Sequence, residues 1–367
     1  MQKMPLSSQQ LAFLIFLLLP GSSLVFLTGS AAVQDAWMAT LLGSGVGLYL
    51  LYAIIKLHSI FPGQRITQIS TALLGKIPGT LLNILFLWSI FVILITFLFD
   101  IDMILAIIYP LVPSTVIYTL LVLTSSYCLY KGVLVLGHLG ELFIGISLFF
   151  LVAGFLLALP LIDPANLKPI LAAWKPIAAG ALYAADWPFD EIVIFALFLP
   201  MVADLKEKKS MLYWWYLAGS LVLILLDMEM VSILGEKLSL LYQFPLFEVF
   251  RLSGFGDFQR VELFFFILWF ITGITTIIIF YQGLTLIVQD IFSLQHDRAL
   301  ILPLGLCLVV FTLYMFPNTV EYNLMGFKYL VVYTFPVNLL YPSILLFVAK
   351  LQQKKQRETP VISAASK

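Results

Sequence analysis

The sequence predicts an all-α polytopic membrane protein of about ten transmembrane helices, and three observations point there. Of its 367 residues, 62% are hydrophobic and only 11% charged, and the mean hydropathy is +1.04. That composition excludes a soluble globular domain. Apolar runs of about 20 residues, the length that crosses a bilayer, recur along the whole chain. Two of those runs, half a protein apart, are interrupted at matching places: the first by Pro20-Gly21-Ser22-Ser23, the other by Asp186-Trp187-Pro188-Phe189.

Taken in order, the spans are expected near 9–27, 35–55, 80–108, 113–130, 137–159, 174–200, 211–234, 260–285, 299–316 and 328–349. The first lacks a small-residue cleavage pattern and is too long for a signal peptide, so it reads as a span. Between the second and third spans, Phe61-Pro-Gly-Gln-Arg65 and Lys76-Ile-Pro-Gly79 bracket a short helix near Ile66–Leu74. The third span carries Asp100 and Asp102, the sixth Asp186, Asp190 and Glu191, and the seventh Asp227 and Glu229. Residues 235–259 form the largest loop, and their mixture of apolar and charged residues suits an interfacial helix or a lid. The eighth span holds Thr272, Thr275 and Thr276.

Residues 1–349 thus read as one transmembrane domain, with repeat one over 9–159, repeat two over 174–349, and a disordered cytoplasmic tail over 350–367. Because each half has five spans, the second starts on the opposite side of the membrane, an inverted repeat. With both termini inside, 14 of the 20 Lys and Arg residues fall on the cytoplasmic side and 6 outside, the asymmetry that sets orientation.

A helix that breaks inside a bilayer strands backbone N–H and C=O groups, each costing several kcal/mol unless protein or a wet cavity satisfies them. Paired breaks therefore point to a midplane binding site. Gly21, Ser22 and Ser23 allow close backbone approach at the first break; Asp186, Pro188 and Phe189 form the second. A half-helix N-terminus favours an anionic group and freed carbonyls favour a cation, which together suit a zwitterion such as an amino acid.

No Lys or Arg falls in the middle of a span, so the intramembrane carboxylates require a proton, water, or a ligand ammonium or Na⁺. Asp100 and Asp102 lie about 200° apart around a helix, so at most one faces the site. Asp186 suits a cap for the continued helix as well as it suits a ligand. Asp227 and Glu229, near the outer end of their span, are expected at the exposed interface. The three threonines fit either the site or back-bonding to their own helix. The two cysteines, Cys128 and Cys307, sit in different spans, and no metal cluster, phosphate loop or nucleophile triad is present. An enzyme, a cofactor and a nucleic-acid partner are therefore not expected.

Several stretches carry a resemblance: Gln9-Gln10, Gln34-Asp35-Ala36-Trp37, Phe61-Pro62-Gly63, Leu74-Gly75-Lys76, Asn166-Leu167-Lys168-Pro169, Pro188-Phe189-Asp190-Glu191, and Phe258-Gln259-Arg260-Val261-Glu262 ahead of Trp269. In this order they resemble the B subunits of bacterial spore germinant receptors, within the amino acid–polyamine–organocation superfamily. The resemblance implies a LeuT-like 5+5 fold with discontinuous helices 1 and 6, and a place in the cell membrane or spore inner membrane. It also implies a germinant (amino acid, sugar or nucleoside) as ligand, with A-type and C-type receptor subunits as partners. Carried over, Gly21–Ser23 and Asp186–Phe189 become the pocket, with Glu191 and Glu262 as its acidic framework. The chain departs from the family at Gln259, where an acid is expected. A ligand-sensing subunit, an H⁺- or Na⁺-coupled amino acid permease, and a scaffold with a degenerate pocket all remain compatible with such a fold.

Overall fold

The computed structural model describes residues 6–254, 260–316, 318–324 and 329–358, except for the side chains of Ser22 and residues 356–358. Gln259 and the tail beyond 358 lie outside the described residues. The described chain is helical, with one isolated bridge, between Leu6 and Val202, and no strand.

The elements are α1 (Ser8–Ser23), α2 (Ala36–Ile60), α3 (Ile66–Leu74), α4 (Lys76–Ile108), α5 (Ser114–Lys131), α6 (Val133–Ala158) and α7 (Trp174–Ala184) in the first part of the chain. They continue as α8 (Leu205–Leu241), α9 (Pro245–Leu252), α10 (Glu262–Ile291), α11 (Arg298–Met315), α12 (Thr319–Leu324), α13 (Leu330–Tyr333) and α14 (Phe335–Glu358). Among the described residues, seven helical segments are long and apolar enough to cross a membrane: Ser30–Ile60, Lys76–Ile108, Val133–Leu161, Leu205–Leu241, Glu262–Ile291, Arg298–Met315 and Leu330–Lys355. Three other expected spans take different forms. The run 9–27 is the 16-residue α1, 113–130 is α5, diluted by Ser114, Thr115, Thr119, Thr124, Ser125 and Ser126, and 174–200 is interrupted after the 11-residue α7.

The bundle is organised around α1, which is apolar on every side and packs on α6, α8 and α10. A helix that is hydrophobic all round belongs in an interior. By contrast α11 exposes Leu302, Leu306, Phe311 and Tyr314, and α6 exposes Leu142, Phe149 and Val152. Apolar surface on that scale needs a lipid solvent, so the molecule is a multi-pass membrane protein.

Several boundaries differ from expectation. The chain stays helical through Pro20, and the first interruption lies at Leu24–Gly29 instead of Pro20–Ser23. Proline removes a single N–H donor, and the turn it destabilises is held by packing on all sides. The seventh span kinks at Gly235 (φ 72°, ψ 173°), close to its expected end, and a second short helical piece follows to Leu241; its Asp227 and Glu229 nonetheless pack inside the bundle. Both acids are buried, at 0% and 1% exposure, against the expectation of an exposed interface. The loop after it folds as α9, whose Leu246, Val249 and Phe250 are buried, packed on α6, α8 and α10. Finally, α14 remains helical to Glu358, eight residues past Lys350, where a disordered tail was expected to begin; Leu351, Gln352, Gln353 and Lys354 are good helix formers.

Candidate functional site

The second break begins where α7 gives way at Ala185. A π-type turn spans Ala185–Phe189, Trp187 is extended (φ −136°, ψ 114°), and the chain continues as a 3₁₀ helix over Asp190–Leu197. Two glycines of α2 let this irregular backbone approach. A Cβ on Gly43 would lie 2.9 Å from Ala185 N, and one on Gly47 would lie 2.7 Å from Phe189 O. Tyr216 closes the same contact by donating to Ser44 O at 2.6 Å.

Two small cavities adjoin this break. One, of about 310 Å³ with the open space at its mouth, is lined by Thr96, Phe97 and Asp100 of α4, by Asp186, Trp187 and Glu191, and by Leu330 and Thr334. The other, of about 370 Å³ on the same measure, is lined by Ser23, Phe26, Leu27 and Thr28 of the first break, and by Tyr183, Asp186, Trp187 and Val331. Asp186 and Trp187 belong to both linings, and the rings of Phe26 and Trp187 lie 5.0 Å apart. The two interruptions therefore meet across a single pair of residues.

Hydroxyl and amide donors serve the buried carboxylates. Asp186 accepts from the Thr334 hydroxyl at 2.7 Å, and Asp190 accepts from Asn338 Nδ2 at 3.1 Å. Asn338 in turn accepts from the Ser89 hydroxyl at 2.9 Å. Asp100 accepts from Tyr322 and Asp102 from Tyr118, so the two aspartates of α4 turn to different neighbours. Asp100 Oδ2, Asp190 Oδ1 and both oxygens of Glu229 have no hydrogen-bond partner among the described residues. The ion pairs found there (Arg65–Asp290, Lys208–Asp204, Arg251–Glu248, Arg260–Glu262) involve none of these acids. Among the described residues that line it, the cavity offers carboxylate oxygens and aromatic rings and no guanidinium or ammonium, which suits a ligand that donates hydrogen bonds or carries positive charge. It repels anions. Among the described residues no three His, Cys, Asp or Glu side chains come together to hold a metal ion.

The expected site residues separate into groups. Ser23, Asp100, Asp186 and Glu191 line the cavities. Pro188 and Phe189 are buried in the break but line neither cavity; Phe189 faces Tyr216, ring centroids 6.2 Å apart. Gly21 lies at a helix crossing, where a Cβ would come within 2.8 Å of Thr272 O and strike Thr276. The hydroxyls of Thr272, Thr275 and Thr276 donate to Leu268 O, Ile271 O and Thr272 O of their own helix. Glu262 sits at the start of α10, paired with Arg260 at 2.6 Å, and lines neither cavity. The side chain of Ser22 lies outside the described residues. Trp187 falls within the expected pocket segment Asp186–Phe189, whereas Tyr322, Thr334 and Asn338 are not among the expected site residues. The signal for the last two was there: Thr334 and Asn338 stand one helical turn apart in an apolar run, and polar pairs at that depth need partners.

A family model described as "Spore germination protein" matches residues 5–320. Spore germination protein KB of Bacillus subtilis (strain 168) is 28% identical over 365 residues, covering 98% of each chain. A match across nearly the whole chain, on a sequence already carrying the motifs of germinant-receptor B subunits, leaves one conclusion: the chain belongs to the spore germination protein family.

Proposed function

We propose that this chain is the nutrient-binding membrane subunit of a spore germination receptor. A small polar germinant (an amino acid, a sugar or a nucleoside) occupies the site beside Asp186 and Trp187, and its binding is passed to A-type and C-type partner subunits. The observation that carries this reading is the meeting of two helix interruptions at Asp186 and Trp187, between two cavities, where Asp100 and Asp186 are buried and enter none of the ion pairs found among the described residues. The reading includes ten spans in a LeuT-like 5+5 arrangement, in which α1 with its break and α7 with its irregular continuation are the discontinuous first and sixth spans. Both termini face the cytoplasm, and the membrane is the spore inner membrane or the cell membrane. Signalling follows from differential affinity: the germinant moves the bundle only as far as it binds one arrangement more tightly than the other.

A second reading, an H⁺- or Na⁺-coupled amino acid permease, draws on the same buried carboxylates. Dipicolinic acid release from spores, with and without this gene, across a nutrient panel separates the two when uptake by growing cells is measured in parallel. Loss of release for particular nutrients with uptake unchanged is the expected result. Normal release with reduced uptake would replace the receptor reading with the permease.

A further inference from the structure

The first break leaves two consecutive backbone N–H groups, those of Thr28 and Gly29, without a helical acceptor. Both go to one side chain from a distant part of the chain. Asp227, in the middle of α8, accepts from Thr28 N through Oδ1 at 3.0 Å and from Gly29 N through Oδ2 at 3.3 Å. Its Oδ2 also accepts from the hydroxyl of Thr40 on α2. Asp227 and Thr40 are each 0% exposed. One carboxylate thus uses both oxygens to tie the unwound segment to two helices.

The tie allows little slack. A Cβ on Gly29 would lie 2.8 Å from the Ala36 carbonyl carbon, and one on Gly180 of α7 would lie 2.9 Å from Gly29 O. The segment is therefore hemmed in on its other side by α2 and α7. Ser23, Phe26, Leu27 and Thr28 line the second cavity, whereas no residue of α8 lines either. Asp227 reaches the cavity only through the backbone that it holds.

We propose that Asp227 is a positioning residue: its carboxylate fixes the wall formed by Ser23–Thr28, and thereby sets the affinity of the cavity for its ligand. This rests on the reading of that cavity as part of the nutrient site. Three hydrogen bonds converge on this one carboxyl group, and buried N–H groups that lose their acceptor have no water to turn to. Asparagine has nearly the same shape but places an NH₂ donor where one oxygen accepted, so one N–H of the break faces another donor.

The test uses the Asp227→Asn variant of the full chain in two measurements. Hydrogen–deuterium exchange of the purified protein in detergent, which needs no nutrient, reads the break directly. Exchange is expected to quicken at least tenfold in the peptide covering residues 24–35, with α8 itself unchanged. In spores, the half-maximal nutrient concentration is expected to rise roughly tenfold, equivalent to about 1.4 kcal/mol, with the maximal response retained. Unchanged exchange at 24–35 would overturn the clamp. Quickened exchange with an unshifted half-maximal concentration, or a reduced maximum alone, would reduce Asp227 to a structural residue. If Asp227→Asn fails to accumulate, Thr40→Val and Thr40→Ser carry the same test: the valine removes one of the three bonds and is expected to shift both readouts, and the serine to shift neither. Spores lacking the gene that germinate normally on every nutrient would sink the receptor reading, while the exchange measurement would still decide the clamp.

Discussion

Asp186 and Asp190 lie four residues apart on the second break, and their donors, Thr334 and Asn338, lie four apart on the last span. Equal spacing on both sides makes two rungs of one ladder, so the irregular segment has a fixed register against its neighbour. The rungs hold whether or not the acids are charged, because an amide oxygen accepts from Thr334 as a carboxylate does. That separates structure from charge at Asp186. Asp186→Asn is expected to accumulate normally and keep the Thr334 bond, while the half-maximal nutrient concentration rises roughly tenfold or more, about 1.4 kcal/mol. A wild-type dose response in that variant would mean that the negative charge plays no part in binding. Thr334→Val differs in kind: it strips a buried carboxylate of its donor, costs about 1–3 kcal/mol, and is expected to lower the amount of folded protein.

Elements near this site differ in how much of them could be read locally. The short helix over Ile66–Leu74 was placed to the residue, because its punctuation is local: Gly63 and Gly75 take φ of 80° and 87° on either side of it. The first break was displaced by four residues, because its position depends on Asp227, 199 residues further along the chain. No local pattern near Pro20 carries that information. A comparable long-range tie forms at the start of α1. Asp204, the residue before α8, accepts from Ser8 N at 2.7 Å and pairs with Lys208 at 3.0 Å. Partial burial pushes its carboxyl up, but the Ser8 and Lys208 contacts outweigh that and hold it at about 2. Because the folded-state value is depressed, the stabilisation is present above the ordinary carboxylate range near 3.9 and is lost as the pH falls through about 2. Asp204→Ala is therefore expected to cost a cap-sized amount of about 0.5–2 kcal/mol of stability, seen as a lowered thermal midpoint that is equal from pH 5 to pH 8. The difference from wild type should shrink on acidification below pH 4. A difference that instead grew with acid would contradict the assigned hydrogen bonds.

At the scale of the whole molecule, the membrane class followed from composition, and the second interruption from Asp186 and Pro188 in an otherwise apolar run, whereas the first lies beyond the Pro20-Gly21 that pointed to it. Which acids line a cavity and which hold backbone did not follow, because the deciding partners are remote in the chain: Asp227, expected at the surface, is fully buried where it accepts from Thr28 N and Gly29 N. The same long-range logic joins the two discontinuous elements at one end of the bundle. Leu6, just ahead of α1, donates to Met201 O at 2.9 Å and accepts from Ala203 N at 3.0 Å. Met201 and Ala203 follow the irregular continuation of α7, so this short bridge fastens the leading end of one broken element to the trailing end of the other. Any rearrangement that moves these elements apart at that end must open both bonds. A disulfide between Leu6→Cys and Val202→Cys would prevent it. The background needs Cys128→Ser and Cys307→Ser, since both native thiols are free. Oxidised spores of the double variant are expected to lose the nutrient response and to regain it on reduction, while each single cysteine variant responds throughout. A cross-linked protein that still responds at the wild-type dose would show that the bridge stays closed during signalling, and would confine any movement to the breaks, where Phe26 meets Trp187.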